Sequence, residues 1–171
     1  MPHVILLPDD TGTVDAGWVV VPGGTEHEAL DADDGDGSYV KCSTHEADMI
    51  IEYANPTFSA GEVASIDGCR IIAAGRSSSR RNSSDSLIGF HVPNGFDETF
   101  DFDAHASSYE VITGTVRETK PDSSAWAYSD ILALELNVRK VATVELFLTY
   151  LAIRVDYTLV ADNATFFGAN F

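Results

Sequence analysis

The sequence predicts an all-β protein, a single antiparallel β-sandwich of eight to nine strands with at most one short helix. Short β-branched or alternating segments recur along the chain, and clusters of Gly, Pro, Asn, Asp and Ser separate them. This spacing is typical of sandwiches and barrels. Few stretches have the period of an amphipathic helix. Because 44% of the 171 residues are hydrophobic, the chain can bury the core of one domain.

Alternation of apolar and polar residues locates the strands. In one segment Met49, Ile51 and Tyr53 share a face opposite Asp48 and Glu52. The last strand is expected to alternate in the same way, with Leu151, Ile153, Val155 and Tyr157 inward and Ala152, Arg154 and Asp156 outward. The predicted strands are His3–Leu7, Gly17–Val21, Ser38–Ser43, Asp48–Tyr53, Ser65–Ala74, Ser86–Val92, Tyr109–Arg117, Leu132–Val138 and Thr149–Tyr157. The first of these strands is expected to end at a turn formed by Pro8-Asp9-Asp10.

One short helix is expected within Ser123–Leu132, with Asp122 or Ser123 as its cap. The apolar segment Ala142–Tyr150 could be helical, but its Thr and Val residues favour extended structure. The sandwich is expected to span residues 1–158, followed by a Phe-containing docking tail over residues 159–171.

The charge balance is strongly acidic, with 27 Asp and Glu against 10 Lys and Arg and a formal net charge of −17. Such a chain repels phosphate backbones and anionic membranes, so we expect no nucleic-acid or membrane partner. Seventeen Asp but only three Lys are typical of proteins from extreme halophiles. At molar salt the Debye length falls to ~3 Å, so the dissolved ions screen the repulsion between the carboxylates of the chain. The N-terminus lacks a basic flank and a long apolar run, so no secretory signal is expected.

The densest acidic cluster is a Gly-containing loop, which is interpreted as a solvated turn. A Ca²⁺ site is the alternative left open, since carboxylates on a tight loop suit Ca²⁺ although the EF-hand register fails. Its ligands would be Asp31, Asp33, Asp34 and Asp36. A second acidic stretch, Phe96–Asp103, alternates Phe and Asp and is interpreted as an edge strand or loop.

No motif points to catalysis. The chain has no Gly-x-Ser-x-Gly, P-loop or Gly-x-Gly-x-x-Gly pattern, and its five His residues lack metal-ligand spacing. We therefore expect no enzyme and no cofactor other than the open Ca²⁺ alternative. Cys42 and Cys69 are interpreted as core thiols, although a disulfide between them stays open.

Two segments are candidate partner contacts. The single basic stretch, Arg76–Ser84, is predicted to be an exposed loop whose Arg76, Arg80 and Arg81 pair with an acidic neighbour or a polyanionic glycan. The tail contains three apolar rings that would lose burial energy in water, and we expect them to dock on the sandwich or on a neighbour. They are Phe166, Phe167 and Phe171.

The order of several segments resembles jelly-roll β-sandwich proteins on the virions of tailed phages. The matching features are a Trp strand (Gly17–Val21), an acidic loop entering a Tyr-Val strand (Leu30–Val40), a strand with a Pro turn before a long central strand (Ile50–Pro56, Ile66–Ala74), a Trp-plus-helix segment (Trp126–Leu136) and a closing Asp-Tyr-Thr strand (Asp156–Thr158). The resemblance covers residues 14–158 and implies a jelly-roll topology.

With the acidic composition, the resemblance implies a virion protein of a haloarchaeal tailed virus. The expected function is a capsid decoration protein that forms an oligomer, with a trimer favoured, on the major capsid protein or other virion proteins. A receptor-binding fibre component or a carbohydrate-binding module on the same scaffold is the alternative. In that case exposed aromatics would stack on glycan, with Trp18, Trp126, Tyr109 and Tyr128 as candidates.

Overall fold

A computed structural model describes residues 2–32, 37–78, 86–92, 95–96, 100–102, 109–141 and 144–161. Within these ranges the chain forms twelve β-strands and one short helix. The strands are β1 (His3–Leu6), β2 (Pro8–Val14), β3 (Trp18–Val21), β4 (Tyr39–Cys42), β5 (Asp48–Tyr53), β6 (Val63–Ser77), β7 (Ser86–Val92), β8 (Gly95–Phe96), β9 (Phe100–Phe102), β10 (Glu110–Thr113), β11 (Glu135–Lys140) and β12 (Leu146–Leu159), and the helix is α1 (Tyr128–Ile131). The all-β prediction is confirmed.

The strands form two six-stranded antiparallel sheets. In the first sheet the order is β10-β6-β12-β4-β3, and β1 also pairs with β12. In the second the order is β2-β5-β11-β7-β8, and β9 also pairs with β7. The nine predicted strands are all present; the additional ones are β2, β8 and β9. This strand order does not by itself establish jelly-roll connectivity, which stays a prediction.

The core lies between the inward faces of the two sheets. Ile71 of β6 pairs with Ile153 of β12, and Leu136 of β11 lies between Ile51 of β5 and Phe90 of β7. All five side chains are buried. Full burial of such a side chain stabilises the fold by ~1.5–3 kcal/mol. The predicted inward face of β5, with Met49, Ile51 and Tyr53, is therefore confirmed.

Strand β12 is buried on both faces over most of its length. The sequence placed Ala152 and Asp156 on an outward face, yet Ala152 is fully buried and Asp156 nearly so. The extended interpretation of the preceding apolar segment is confirmed from Leu146 onward. A register shift occurs at Thr149, whose hydroxyl donates a hydrogen bond to the Ser38 carbonyl at 2.9 Å. On either side of this point β12 pairs with β4, over Leu146–Leu148, and with β1, over Ile153–Asp156.

The turn predicted at Pro8-Asp9-Asp10 is wrong, because these residues begin β2. Pro8 is the first residue of the strand and lies opposite Tyr53 of β5. Proline is tolerated at the start of an edge strand, where its missing N–H costs no ladder hydrogen bond. Among the described strands β2 pairs with β5 alone.

The predicted helix is present, but it begins later and uses a different cap. Its N-cap is Ala127, and the Oδ2 of Asp130 accepts a hydrogen bond from the Ala127 N–H at 2.7 Å. Asp122 instead closes a turn by accepting from the backbone and hydroxyl of Ser124. Ile131 of α1 is buried in the core. In the described part of the chain, no helix is long and apolar enough to cross a membrane.

A close approach at Gly68 anchors the chain after β10. Cys69 and Arg117 exchange backbone hydrogen bonds of 2.9 and 2.7 Å. A Cβ atom on Gly68 would lie 3.0 Å from the Arg117 carbonyl oxygen and closer still to Val116. Only glycine lets the two backbones meet here, and the contact fixes the path of the segment that leads to α1.

Candidate interaction face

The outer face of the first sheet carries a large share of the chain's cations. Arg70 lies opposite Arg154, while Arg76 and Lys41 both lie opposite Phe147. Directly paired residues in an antiparallel sheet project from the same face, and the buried residues that alternate with these point into the core. We call Lys41, Arg70, Arg76 and Arg154 the cationic face. It holds four of the ten Lys and Arg residues in a chain of net charge −17.

A buried carboxylate joins two arginines at one end of the cationic face. Asp156 is 4% exposed. Its Oδ2 lies 2.9 Å from Nη2 of Arg70, and its Oδ1 lies 2.7 Å from Nη2 of Arg154. Burial by itself would raise the pKa of Asp156, but the hydrogen bonds and positive charges of the two arginines outweigh it and hold the pKa below its ordinary value. The carboxylate is ionised at neutral pH, and two positive charges against one leave the trio net positive.

Aromatic rings hold the cation at the other end of the face. The Cζ of Arg76 lies 4.0 Å from the ring centroid of Phe147 and 5.2 Å from that of Tyr109. Tyr39 packs edge-on against Phe147, with centroids 5.6 Å apart. A guanidinium over aromatic faces is attracted by the ring quadrupoles and keeps one orientation. Arg76 was predicted to begin an exposed loop, but it lies in β6, which continues through Ser77.

Exposed aliphatic side chains border these cations. Ile5 pairs with Arg154 and Val19 pairs with Lys41, while Val111 lies on the adjoining edge strand β10. Val111 is the most exposed of them, at 58%. Among the described strands β10 pairs with β6 alone. Arginine, aromatic and aliphatic side chains together are typical of the centre of a protein–protein interface.

Most of the predicted partner contacts lie outside the described residues. Of that set the structure describes Arg76 alone. The chain leaves β6 beside the start of β12, where the Ser78 N–H donates to the Glu145 carbonyl at 2.9 Å. The predicted contacts outside the described ranges are Arg80, Arg81, Phe166, Phe167 and Phe171.

One of the four predicted calcium ligands is described. Asp31 forms an isolated bridge with Tyr150, and the carbonyl of the preceding Leu30 accepts from the Leu151 N–H at 3.0 Å. The acidic loop therefore starts against β12. Within the described ranges, no group of three or more His, Cys, Asp or Glu side chains could hold a metal ion. The other three predicted ligands lie outside those ranges: Asp33, Asp34 and Asp36.

The four aromatics considered for glycan stacking are mostly engaged in the fold. Trp18 and Trp126 are both buried. The Tyr128 hydroxyl donates to the Phe58 carbonyl at 3.1 Å. Tyr109 lies beside the guanidinium of Arg76. Neither tryptophan supplies an exposed platform for a sugar ring.

The two cysteines are free, buried thiols, as predicted. Cys42 pairs with Leu146 and Cys69 pairs with Val155, so they lie beside points nine residues apart on β12 (155 − 146). At ~3.3 Å per residue this distance is ~30 Å, far beyond the ~7 Å that a disulfide can bridge. The open disulfide alternative is therefore wrong. Burial raises the pKa of both thiols above the ordinary value.

Sequence reasoning also missed a cleft of about 560 Å³ beside α1. Its wall includes His91 of β7 together with Trp126 and Lys120 from the segment that precedes α1. The two halves of this wall are far apart in sequence, and only the pairing of β7 with β11 brings them together.

Comparison with protein-family models and with curated proteins gives no match. No family model matches the chain, and no curated protein matches it at a significant level.

Proposed function

We propose that this chain is a structural virion protein, a capsid decoration protein of a haloarchaeal tailed virus, which binds the outer surface of the viral head as an oligomer. The observation that carries the proposal is the cationic face. The face gathers guanidinium groups, aromatic rings and exposed aliphatics on one sheet of an otherwise acidic molecule.

Arginine chemistry indicates what the cationic face binds. A guanidinium presents five donors in a planar fork that matches a carboxylate, and it is less strongly hydrated than an ammonium group. Asp156 neutralises only part of the charge of Arg70 and Arg154, so an additional carboxylate from outside would be attracted. The expected partner is an acidic protein surface, such as that of a capsid protein adapted to the same salt.

High salt makes contact between two acidic proteins feasible. At molar salt the Debye length is ~3 Å, so repulsion between the remaining carboxylates of the two surfaces is screened. Ion pairs in direct contact and buried aliphatic surface are affected much less. Ile5, Val19 and Val111 supply such aliphatic surface beside the arginines.

The oligomer is proposed to be a trimer, as the sequence suggested. Light scattering of the purified protein in molar KCl should give the mass of three chains. A monomer at all concentrations in that salt would contradict the proposed trimer, but it would not contradict the proposed role of the cationic face.

The direct test is the particle itself. Mass spectrometry of purified virions of the virus that encodes the chain should detect it in stoichiometric ratio to the major capsid protein. Gradient-purified particles washed in molar salt are the matched control for loosely bound protein. Absence of the chain from washed particles would overturn the proposal.

A further inference from the structure

A row of aromatic rings joins the last strand to the helix. The ring of Tyr157, on β12, lies 4.4 Å from that of Phe58, measured between centroids. The ring of Tyr128, the first residue of α1, lies 5.9 Å from that of Phe58. The Tyr128 hydroxyl also donates to the Phe58 carbonyl at 3.1 Å, which holds α1 against the segment between β5 and β6. The three rings therefore form one connected unit.

An exposed leucine lies at each end of this row. Leu159 follows Tyr157 by two residues on β12, so both side chains project from the same face of the strand, and Leu159 is 51% exposed. The Leu132 N–H donates to the Tyr128 carbonyl at 3.2 Å, which places Leu132 one helical turn from Tyr128 on the same side of α1. Leu132 is 44% exposed. We call the five residues the apolar band: Leu132, Tyr128, Phe58, Tyr157 and Leu159.

The chain supplies a segment of matching chemistry at one end of the band. Strand β12 ends at Leu159, and residues 162–171 follow outside the described part of the chain. This segment carries a single charged side chain, Asp162, and three phenylalanines, of which Phe166 and Phe167 are adjacent. A single exposed leucine needs no partner. A connected apolar band beside an aromatic, nearly uncharged segment gives both surfaces a reason to leave water together.

The segment is long enough to cover the band from the same chain. Phe166 and Phe167 follow Leu159 by seven and eight residues (166 − 159 and 167 − 159). An extended chain covers ~3.3 Å per residue, so these two rings reach up to about 23–26 Å from the end of β12. The ring separations of 4.4 and 5.9 Å place Phe58 and Tyr128 well within that reach. No second copy is needed to bring the rings to the band.

We propose that residues 162–171 fold back on their own chain and dock Phe166 and Phe167 on the apolar band. Of the two docking surfaces expected from the sequence, the sandwich or a neighbour, this selects the sandwich. The contact is apolar, so the screening of charges at molar salt does not weaken it. The inference does not rest on the virion proposal, because the band contains no residue of the cationic face.

Disulfide formation between introduced cysteines tests the docking directly. The full chain with Leu132→Cys and Phe167→Cys, oxidised mildly in molar KCl, should form an intrachain bond, which requires Cα atoms within ~7 Å. The native Cys42 and Cys69 are buried and should not interfere. The matched control combines Val111→Cys with Phe167→Cys, because Val111 is an exposed aliphatic residue of β10 outside the band. Peptide mass spectrometry should show at least tenfold less intrachain bond in the control.

Melting temperatures give a second test that needs no cysteine. Phe166→Ser/Phe167→Ser should lower the melting temperature by at least ~3 °C, because two rings lose their burial. Leu132→Ser should lower it in the native background but much less in this tail variant, whereas Val111→Ser should have the same effect in both. Circular dichroism checks that every variant is folded. Disulfides only between chains, equal intrachain bonding in the control, or additive effects of Leu132→Ser and the tail variant would overturn the inference.

Discussion

The guanidinium of Arg76 lies over the ring of Phe147, with 4.0 Å between Cζ and the ring centroid. The two residues are direct cross-strand partners on β6 and β12, so the sheet register itself sets this contact. It places the cation on a β-strand, over an aromatic ring. The stacked geometry indicates that Arg76 contributes to the stability of the first sheet.

A double-mutant cycle measures this contact. Arg76→Lys removes the planar fork and Phe147→Leu removes the ring, while each keeps much of the original volume. The free energy of unfolding should show a coupling of ~0.5–1 kcal/mol between the two substitutions. Additive effects in urea denaturation would contradict the stacked arrangement.

Asp156 should make the free energy of unfolding depend on pH in the acidic range. Its pKa in the folded state is below the ordinary value, so its contribution is complete above the unfolded pKa of ~3.9 and is lost as the pH falls through the folded pKa. At about pH 7, Asp156→Asn should lower the free energy of unfolding by ~3 kcal/mol, because it leaves two arginines without their shared carboxylate.

Denaturation of both proteins across this pH range checks the effect. The difference between wild type and Asp156→Asn should shrink as the pH falls below ~4. Asp9→Asn, at an exposed position of β2, should change stability by no more than ~0.5 kcal/mol at any of these pH values. A difference for Asp156→Asn that is independent of pH would refute the ionised, arginine-paired carboxylate.

The thiols of Cys42 and Cys69 should be inert in the native protein. Both are buried and their pKa values are raised, so little reactive thiolate exists at neutral pH. A disulfide-exchange reagent should label neither cysteine in the native state and both after unfolding. Rapid labelling of native protein would show that this part of the core opens readily.

Salt should stabilise the fold. The chain has 27 acidic and 10 basic side chains, so its carboxylates repel one another in dilute buffer, and added salt screens that repulsion. The melting temperature should therefore rise from about 0.05 M to about 3 M KCl, the range over which the Debye length falls below ~3 Å. A flat or falling melting temperature would be incompatible with the halophilic interpretation.

Local patterns were enough to predict many of the strands. The bounds of β5 match the prediction because Met49, Ile51 and Tyr53 alternate with polar residues over the whole strand. Strand β2 was missed because Pro8-Asp9-Asp10 has turn composition, and only its pairing with β5 makes it extended. Local sequence does not contain that pairing.

The candidate site depended on contacts between distant residues. Asp156 was expected to face solvent because its neighbours alternate, but Arg70, 86 residues away in sequence, covers it. The sequence indicated Arg76 as a candidate contact because it lies in the single basic stretch. Its contact with the ring of Phe147 depends on the register between β6 and β12, which the sequence does not show. The cleft likewise requires β7 and β11 to be adjacent, which the sequence did not indicate.

We propose that the cationic face attaches the chain to an acidic virion surface. The most direct measurement is rebinding of purified chain to washed virions from which it has been released, in molar KCl. Arg70→Glu/Arg76→Glu tests the face, and Arg139→Glu is the control, because Arg139 pairs with Asp48 on the second sheet at 2.7 Å. We predict that the double variant, shown to be folded by circular dichroism, loses at least tenfold in affinity while the control binds as the wild type does. Equal rebinding by the folded double variant and the wild type would contradict the claim.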